Sequence, residues 1–217
     1  MSNQFIIEET INHVKNILTG AEGGHDWWHI QRVWNTAQHI ATAEKADDLV
    51  VALGALLHDI ADSKFHNGDE TIGPRMAREW LQSLAVEEPV IEHVENIIKH
   101  ISFKGGNHGQ PFKSKELDIV QDADRLDAIG AIGIARAFNY GGFKNRPMHD
   151  PGVPANMNMS KEEYKNNKAA TINHFYEKLL LLKDRMNTET GKQMAIQRHE
   201  FMESYLKQFY AEWDGEK

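Results

Sequence analysis

The chain of 217 residues contains no cysteine, so disulfide bonds and thiolate metal ligands are both excluded. Any metal site must therefore be built from nitrogen and oxygen ligands. No apolar run reaches the roughly 18 residues that a membrane-spanning helix needs. The N-terminal segment also lacks the basic start and the apolar core of a signal peptide. We therefore expect a cytoplasmic protein.

The chain also has fewer basic than acidic residues. The 24 Lys and Arg residues are outnumbered by 32 Asp and Glu residues, which gives a formal net charge of −8. This balance argues against a broad surface for nucleic acid or for an anionic membrane, although it allows a small basic pocket for a phosphate. The expected partner is a small molecule.

Convincing β alternation and internal repeats are absent too, and the apolar spacing is helical nearly throughout. The simplest interpretation of this pattern is a single all-α domain over residues 1–217. Asp47 or Asp48 is expected to cap the third helix, and Ser160 with Glu163 forms a capping box. The predicted helices cover 4–19, 27 to about 41, 48 to about 58, 69–84, 87–101, 114–127, 130–140, 161–186 and 189–213.

A long irregular segment is predicted over residues 139–159. It contains three of the six prolines, Pro147, Pro151 and Pro154. A structureless loop of about twenty residues is uncommon in a compact domain and is often functional. This pattern is compatible with two interpretations. The segment is either a surface connection between helices or a functional loop that acts as a lid or determines specificity.

The pair His58-Asp59 follows the apolar run LVVALGALL, which should be buried. His-Asp occurs three times in the chain, and only this copy closes such a run. An ionised carboxylate without a partner costs several kcal/mol in a protein interior. Two partners are plausible: a bound cation, or a structural ion pair for which Arg125 is the candidate.

Two more side chains in helical segments extend this pair into a set of four. His29 lies on the second predicted helix, and Asp124 lies on the sixth. Two imidazoles and two carboxylates suit a divalent ion such as Mn²⁺, Fe²⁺, Co²⁺, Ni²⁺, Mg²⁺ or Zn²⁺. Four protein ligands leave an octahedral ion two open positions for water and substrate, as hydrolysis requires.

Three segments carry a family resemblance: HIQRV at 29–33, LLHDIAD at 56–62 and DADRLDAIGAIGIAR at 122–136. Together they resemble the H…HD…D signature of the HD-domain metal-dependent phosphohydrolases. The continuation of the third segment is similar to the bacterial YpgQ/YedJ-like subgroup.

The resemblance implies an all-α HD-domain helical bundle, with a five-helix core over about 20–140 and extra C-terminal helices over about 160–214. It also implies one divalent metal, with Mn²⁺ favoured, held by His29, His58, Asp59 and Asp124. The subgroup resemblance implies a nucleotide pyrophosphohydrolase that cleaves (deoxy)nucleoside triphosphates to monophosphate and pyrophosphate.

Carboxylates near the ligands are candidates to orient or deprotonate the attacking water. Asp62 is the first choice, because related HD hydrolases carry an acidic residue at its position. Asp127 is the second choice, since it lies three residues after Asp124 on a similar helix face. Asp122 is expected to be solvated.

Four cations are candidates for binding substrate phosphate: Arg32, Lys104, Arg125 and Arg136. His66 and His100 are candidates for a second ion or for a phosphate contact, although their spacing favours one metal. For Trp27 and Trp28, which precede His29, core packing is favoured over stacking on a base.

Two other classes of function remain open. The same site suits a phosphomonoesterase or phosphodiesterase acting on a nucleotide or an alarmone. The third hypothesis is a non-catalytic helical module in which the metal is structural or absent. The C-terminal helices, with Leu179–Leu182, offer a surface for a homodimer, for which ordinary core packing is the alternative.

Overall fold

Helices account for all the regular structure in the described part of the chain. The computed structural model describes residues 1–20, 26–61, 69, 71–101, 112–159, 163 and 167–217. The all-α fold class predicted from the sequence is confirmed. The elements are α1 (Asn3–Ile17), α2 (Trp27–Glu44), α3 (Asp48–Leu57), α4 (Ile72–Ser83), α5 (Glu88–His100), α6 (Lys115–Asp127), α7 (Gly130–Phe143), α8 (Thr171–Glu177), a 3₁₀-helix (Leu179–Arg185) and α9 (Glu189–Trp213).

Most helix boundaries agree with the sequence pattern. The ends of α1 to α7 lie within three residues of the predicted ends, and α9 spans 189–213 as predicted. Asp47 is the N-cap of α3, where one carboxylate oxygen accepts from the backbone N–H groups of Leu49 and Val50. Local signals therefore suffice to fix these helices.

The predicted helix over 161–186 is wrong as a single element. The described residues there form α8 and the 3₁₀-helix, which are separated at Lys178, where φ is −144° and ψ is −55°. Leu179 and Leu182 are both buried, and their spacing matches the three residues per turn of a 3₁₀-helix. Core packing therefore accounts for these two leucines. Ser160 of the predicted capping box lies outside the described residues.

The chain divides into two compact units, Met1–Asp124 and Arg125–Lys217. In the first unit α3 contacts α1, α2 and α5, and it is buried from Val50 to Leu57. At Gly54 an added Cβ atom would lie 3.2 Å from two side-chain carbons of Ile97, so glycine permits the close approach of α5. The central helix of this unit is thus the one that ends at His58. The single domain over 1–217 stays a prediction.

In the second unit α7, α8 and α9 surround an aromatic cluster of Phe138, Phe175, Tyr205 and Phe209. The irregular segment begins at residue 144 and not at 139, because α7 continues to Phe143. Its backbone carbonyls accept hydrogen bonds from the start of α8, with Pro147 paired to Thr171 at 2.9 Å. A lid function for this segment stays a prediction.

Candidate metal centre

The end of α3 carries the first two candidate ligands. His58 is the C-cap residue of α3, and 9% of its surface is exposed. Its Nδ1 atom lies 2.8 Å from the carbonyl oxygen of Ala55. Because a carbonyl can only accept, Nδ1 carries a proton and donates it, and in the neutral imidazole Nε2 then keeps an unshared electron pair. Asp59 follows directly and is half-buried.

The Nε2 atom of His58 is buried and has no hydrogen-bond partner among the residues that the structure describes. An unsatisfied buried polar atom costs about 1–3 kcal/mol, so such atoms are rare without a function. A divalent cation is a suitable partner for a neutral imidazole nitrogen beside a carboxylate. The environment of His58 therefore fits a metal ligand.

The third candidate ligand comes from the first turn of α2. Asp26 is the N-cap of this helix, and its Oδ1 accepts from the backbone N–H of His29 at 2.9 Å. His29 is 2% exposed. Its ring meets the ring of His58 edge-on, with centroids 5.4 Å apart and an interplanar angle of 69°. The N-cap hydrogen bond thus holds the backbone of His29, whose side chain is the second imidazole of the site.

One ligand atom from each of His29, His58 and Asp59 lies within 4.8 Å of the other two. Asp124 approaches the same cluster from α6, with its Oδ1 3.5 Å from Nε2 of His29. The Asp124 side chain is 43% exposed, whereas the two histidines are buried. The cluster is therefore buried on its imidazole side and reaches solvent at Asp124. All four predicted ligands belong to the unit Met1–Asp124.

Asp122, two residues before Asp124, differs from its expectation of being solvated. It is completely buried, and so are its neighbours Gln121 and Ala123. Gln121 donates from Nε2 to the carbonyl oxygen of His100 at 3.0 Å. The expectation is wrong because α6 is buried around most of its circumference, so a position that faces away from Asp124 is still covered by protein.

The remaining predicted residues are engaged elsewhere or lie outside the described residues. Arg136 donates from Nη1 to a carboxylate oxygen of Asp127, and Arg125 donates to the carbonyl of Arg185 at 2.7 Å. Arg32 is half-buried on α2, one turn after His29. Their catalytic and phosphate-binding roles stay predictions. Asp62, His66 and Lys104 lie outside the described residues.

Comparisons with known proteins agree with this geometry. A sequence model of the HD domain family matches residues 27–129. The chain is 36% identical over 211 residues to the YpgQ protein of Bacillus subtilis, which covers 96% of this chain and 94% of YpgQ. The chain belongs to the HD-domain family. HD domains bind divalent metals, and this chain is a metal-dependent phosphohydrolase of that family.

Solved HD-domain structures extend the likeness over the whole chain. An HD-superfamily hydrolase from Bacillus thuringiensis has 43% identity and a TM-score of 0.79, covering 98% of this chain and 99% of that one. B. subtilis YpgQ in complex with ADP has 34% identity and a TM-score of 0.77, covering 98% and 97%. Among the described residues of this HD-domain chain, no helix has the length and apolar character to cross a membrane.

Proposed function

We propose that this HD-domain chain is a nucleotide pyrophosphohydrolase. Its substrates are (deoxy)nucleoside triphosphates, and its products are a nucleoside monophosphate and pyrophosphate. In this reaction the oxygen of water bonds to the α-phosphorus. The bond from that phosphorus to the oxygen bridging to the β-phosphate breaks. The proton of the water passes to a carboxylate or to solvent, and the pyrophosphate leaves with the electron pair of the broken bond.

The convergence of His29, His58 and Asp59 on one point carries this proposal. With Asp124 they supply two imidazoles and two carboxylates, a donor set that suits Mn²⁺, Mg²⁺, Fe²⁺, Co²⁺, Ni²⁺ or Zn²⁺, with Mn²⁺ favoured. When bound, such an ion lowers the pKa of a coordinated water and polarises a phosphoryl oxygen. The proton donated by His58 Nδ1 to Ala55 holds the imidazole in the tautomer that a ligand needs.

Support for a nucleotide substrate comes from YpgQ, which was crystallised with ADP and is 34% identical to this chain in that structure. A nucleoside diphosphate combines the base, the sugar and the phosphoanhydride bond of the proposed substrate. Asp62 is the proposed water-orienting carboxylate, with Asp127 as the second choice. Arg32 and Lys104 are the proposed phosphate contacts, followed by Arg125 and Arg136. A cytoplasmic location and a homodimer complete the proposal.

The decisive experiment uses metal-stripped protein titrated with Mn²⁺ in the presence of nucleoside mono-, di- and triphosphates. Pyrophosphate and phosphate are assayed separately. We expect pyrophosphate release that requires Mn²⁺ and that falls by more than about 100-fold in the Asp59→Ala variant, because a ligand is lost. The Asp184→Ala variant is the matched control, since this aspartate is 76% exposed and belongs to the other unit.

Release of phosphate without pyrophosphate would overturn the proposed reaction and favour a phosphomonoesterase at the same site. Activity that survives both metal stripping and Asp59→Ala would overturn the metal site itself. Tight Mn²⁺ binding without turnover of any nucleotide would favour the non-catalytic module.

A further inference from the structure

The indole of Trp28 is exposed beside a metal-ligand residue. Trp28 is 63% exposed, whereas the adjacent His29 is 2% exposed. Within the described part of Met1–Asp124, the only other aromatic side chain that is exposed to a comparable degree is Phe5, at 44%. The sequence pattern favoured core packing for Trp28, and that expectation is wrong. Packing in the core therefore does not explain why an aromatic residue stands at position 28.

Two other tryptophans of this unit, Trp27 and Trp80, have partners within the protein. The ammonium group of Lys15 lies 4.7 Å from the ring centroid of Trp27. Trp80 stacks on His13 with centroids 3.7 Å apart and donates to the hydroxyl of Thr10 at 3.0 Å. In the described residues no ring or cation packs against Trp28. One aromatic face next to the site is thus open to a ligand.

Helix geometry directs Trp28 to the same end of α2 as His29. Both residues lie in the first turn, because α2 begins at Trp27. Side chains of an α-helix tilt toward its N-terminus, so the indole and the imidazole both project past this end. Their Cα atoms are consecutive and hence about 3.8 Å apart. Consecutive helix residues are rotated by about 100°, so the indole lies beside the face that carries His29, and a ligand that extends outward from a group held at His29 can reach it.

We propose that Trp28 is a specificity-determining residue whose indole stacks on the nucleobase of the substrate. This inference rests on the proposed function. Release of pyrophosphate requires attack at the α-phosphate, which is separated from the base only by the sugar. The base must then lie close to the residues that hold the reacting phosphate. Every base has a π-face, so stacking increases affinity for nucleotides as a class and selects no single base.

The test compares Trp28→Ala, Trp28→Leu and Trp28→Phe with the unmodified chain. Calorimetry measures the Kd of ADP, of tripolyphosphate and of Mn²⁺ alone, with Mn²⁺ present in the first two titrations. Loss of one stacked base corresponds to about a tenfold loss of affinity. We expect Trp28→Ala and Trp28→Leu to weaken ADP binding by about this factor, and Trp28→Phe to recover most of it. Tripolyphosphate has no base, so its Kd should not change.

The Phe5→Ala variant is the control, because it removes the other exposed aromatic side chain of this unit. It should leave all three Kd values unchanged. Equal losses for ADP and tripolyphosphate, or weaker Mn²⁺ binding, would show that Trp28 only supports His29 and would overturn the inference. An unchanged Kd of ADP would overturn it too. If the unmodified chain binds ADP but releases no pyrophosphate from triphosphates, the proposed function fails while the stacking test still stands. If it does not bind ADP, the stacking inference fails, whereas pyrophosphate release from triphosphates decides the proposed function.

Discussion

At the scale of single residues, one buried and one half-buried histidine show how surroundings decide what an imidazole does. Nε2 of His58 keeps an electron pair for a ligand because Nδ1 is hydrogen-bonded to the Ala55 carbonyl. His174 in α8 is instead a half-buried base near two cations. Burial, followed by the charges of Lys178 and Arg146, lowers the pKa of His174 to about 4. Protonation of His174 therefore opposes folding.

This pKa predicts an acid-sensitive fold. Above about pH 6.5 the imidazole is neutral in the folded and the unfolded chain, so His174 adds no pH dependence. Between about pH 6.5 and pH 4 His174 is protonated in the unfolded chain but remains mostly neutral in the folded chain. The free energy of unfolding should fall across this range by about 3 kcal/mol from His174 alone.

Urea unfolding at several pH values measures this effect. The His174→Gln variant should lose that part of the pH dependence, whereas His39→Gln, at an exposed position on α2, should keep it. Parallel pH profiles for the unmodified chain and His174→Gln would contradict the assignment.

At the scale of elements, the packing of α7 against α8 depends on one glycine. A Cβ atom at Gly141 would lie 2.1 Å from Oγ1 of Thr171, closer than any real contact allows. The neighbouring Gly142 is different, because a Cβ atom there would meet no atom of the described chain within 4 Å. Two adjacent glycines of one helix thus have different physical roles.

We therefore predict opposite results for two neighbouring substitutions. Gly141→Ala should lower the free energy of unfolding by about 1–3 kcal/mol, because the helices must separate or the threonine must move. Gly142→Ala should be neutral or stabilise by up to about 1 kcal/mol, since alanine favours the helix. Chemical denaturation of both variants measures the difference. Adding Thr171→Ala to Gly141→Ala should recover part of the loss, and equal losses in the two single variants would refute the close-contact explanation.

At the scale of the whole molecule, the four proposed ligands join three helices of one unit. The four residues come from the start of α2, the end of α3 and the last turn of α6, and all four lie within Met1–Asp124. A metal ion bound by these helices would favour their folded arrangement, because the unfolded chain does not hold the ligands together. Metal binding and the stability of this unit should therefore be coupled.

Mn²⁺ at about 100 times its Kd should stabilise the folded chain by about 2.7 kcal/mol. Differential scanning calorimetry, with and without Mn²⁺, measures the corresponding rise in Tm, and hydrogen exchange should show added protection in α2 and α3. The Asp59→Ala variant should lose most of this rise, and Asp184→Ala should keep it. A rise of equal size in Asp59→Ala would mean that Mn²⁺ stabilises the chain from another site.

The sequence by itself determined most helices and the composition of the candidate site. Helix spans follow from local periodicity and from caps such as Asp47, which depend on residues a few positions apart. The burial of LVVALGALL required a partner for Asp59, and the residues predicted to share that site, His29, His58 and Asp124, do come together. These conclusions need no knowledge of which helices are neighbours.

Tertiary structure alone decided the features that depend on neighbours distant in sequence. The predicted helix over 161–186 breaks at Lys178, where packing of the leucines favours a 3₁₀-helix. Asp122 is buried because other elements cover α6, and Trp28 is exposed because nothing described covers it. Asp127 and Arg136 pair with each other across a turn between two helices. A one-dimensional pattern shows that a side chain is polar or apolar, but only the packed chain decides what it faces.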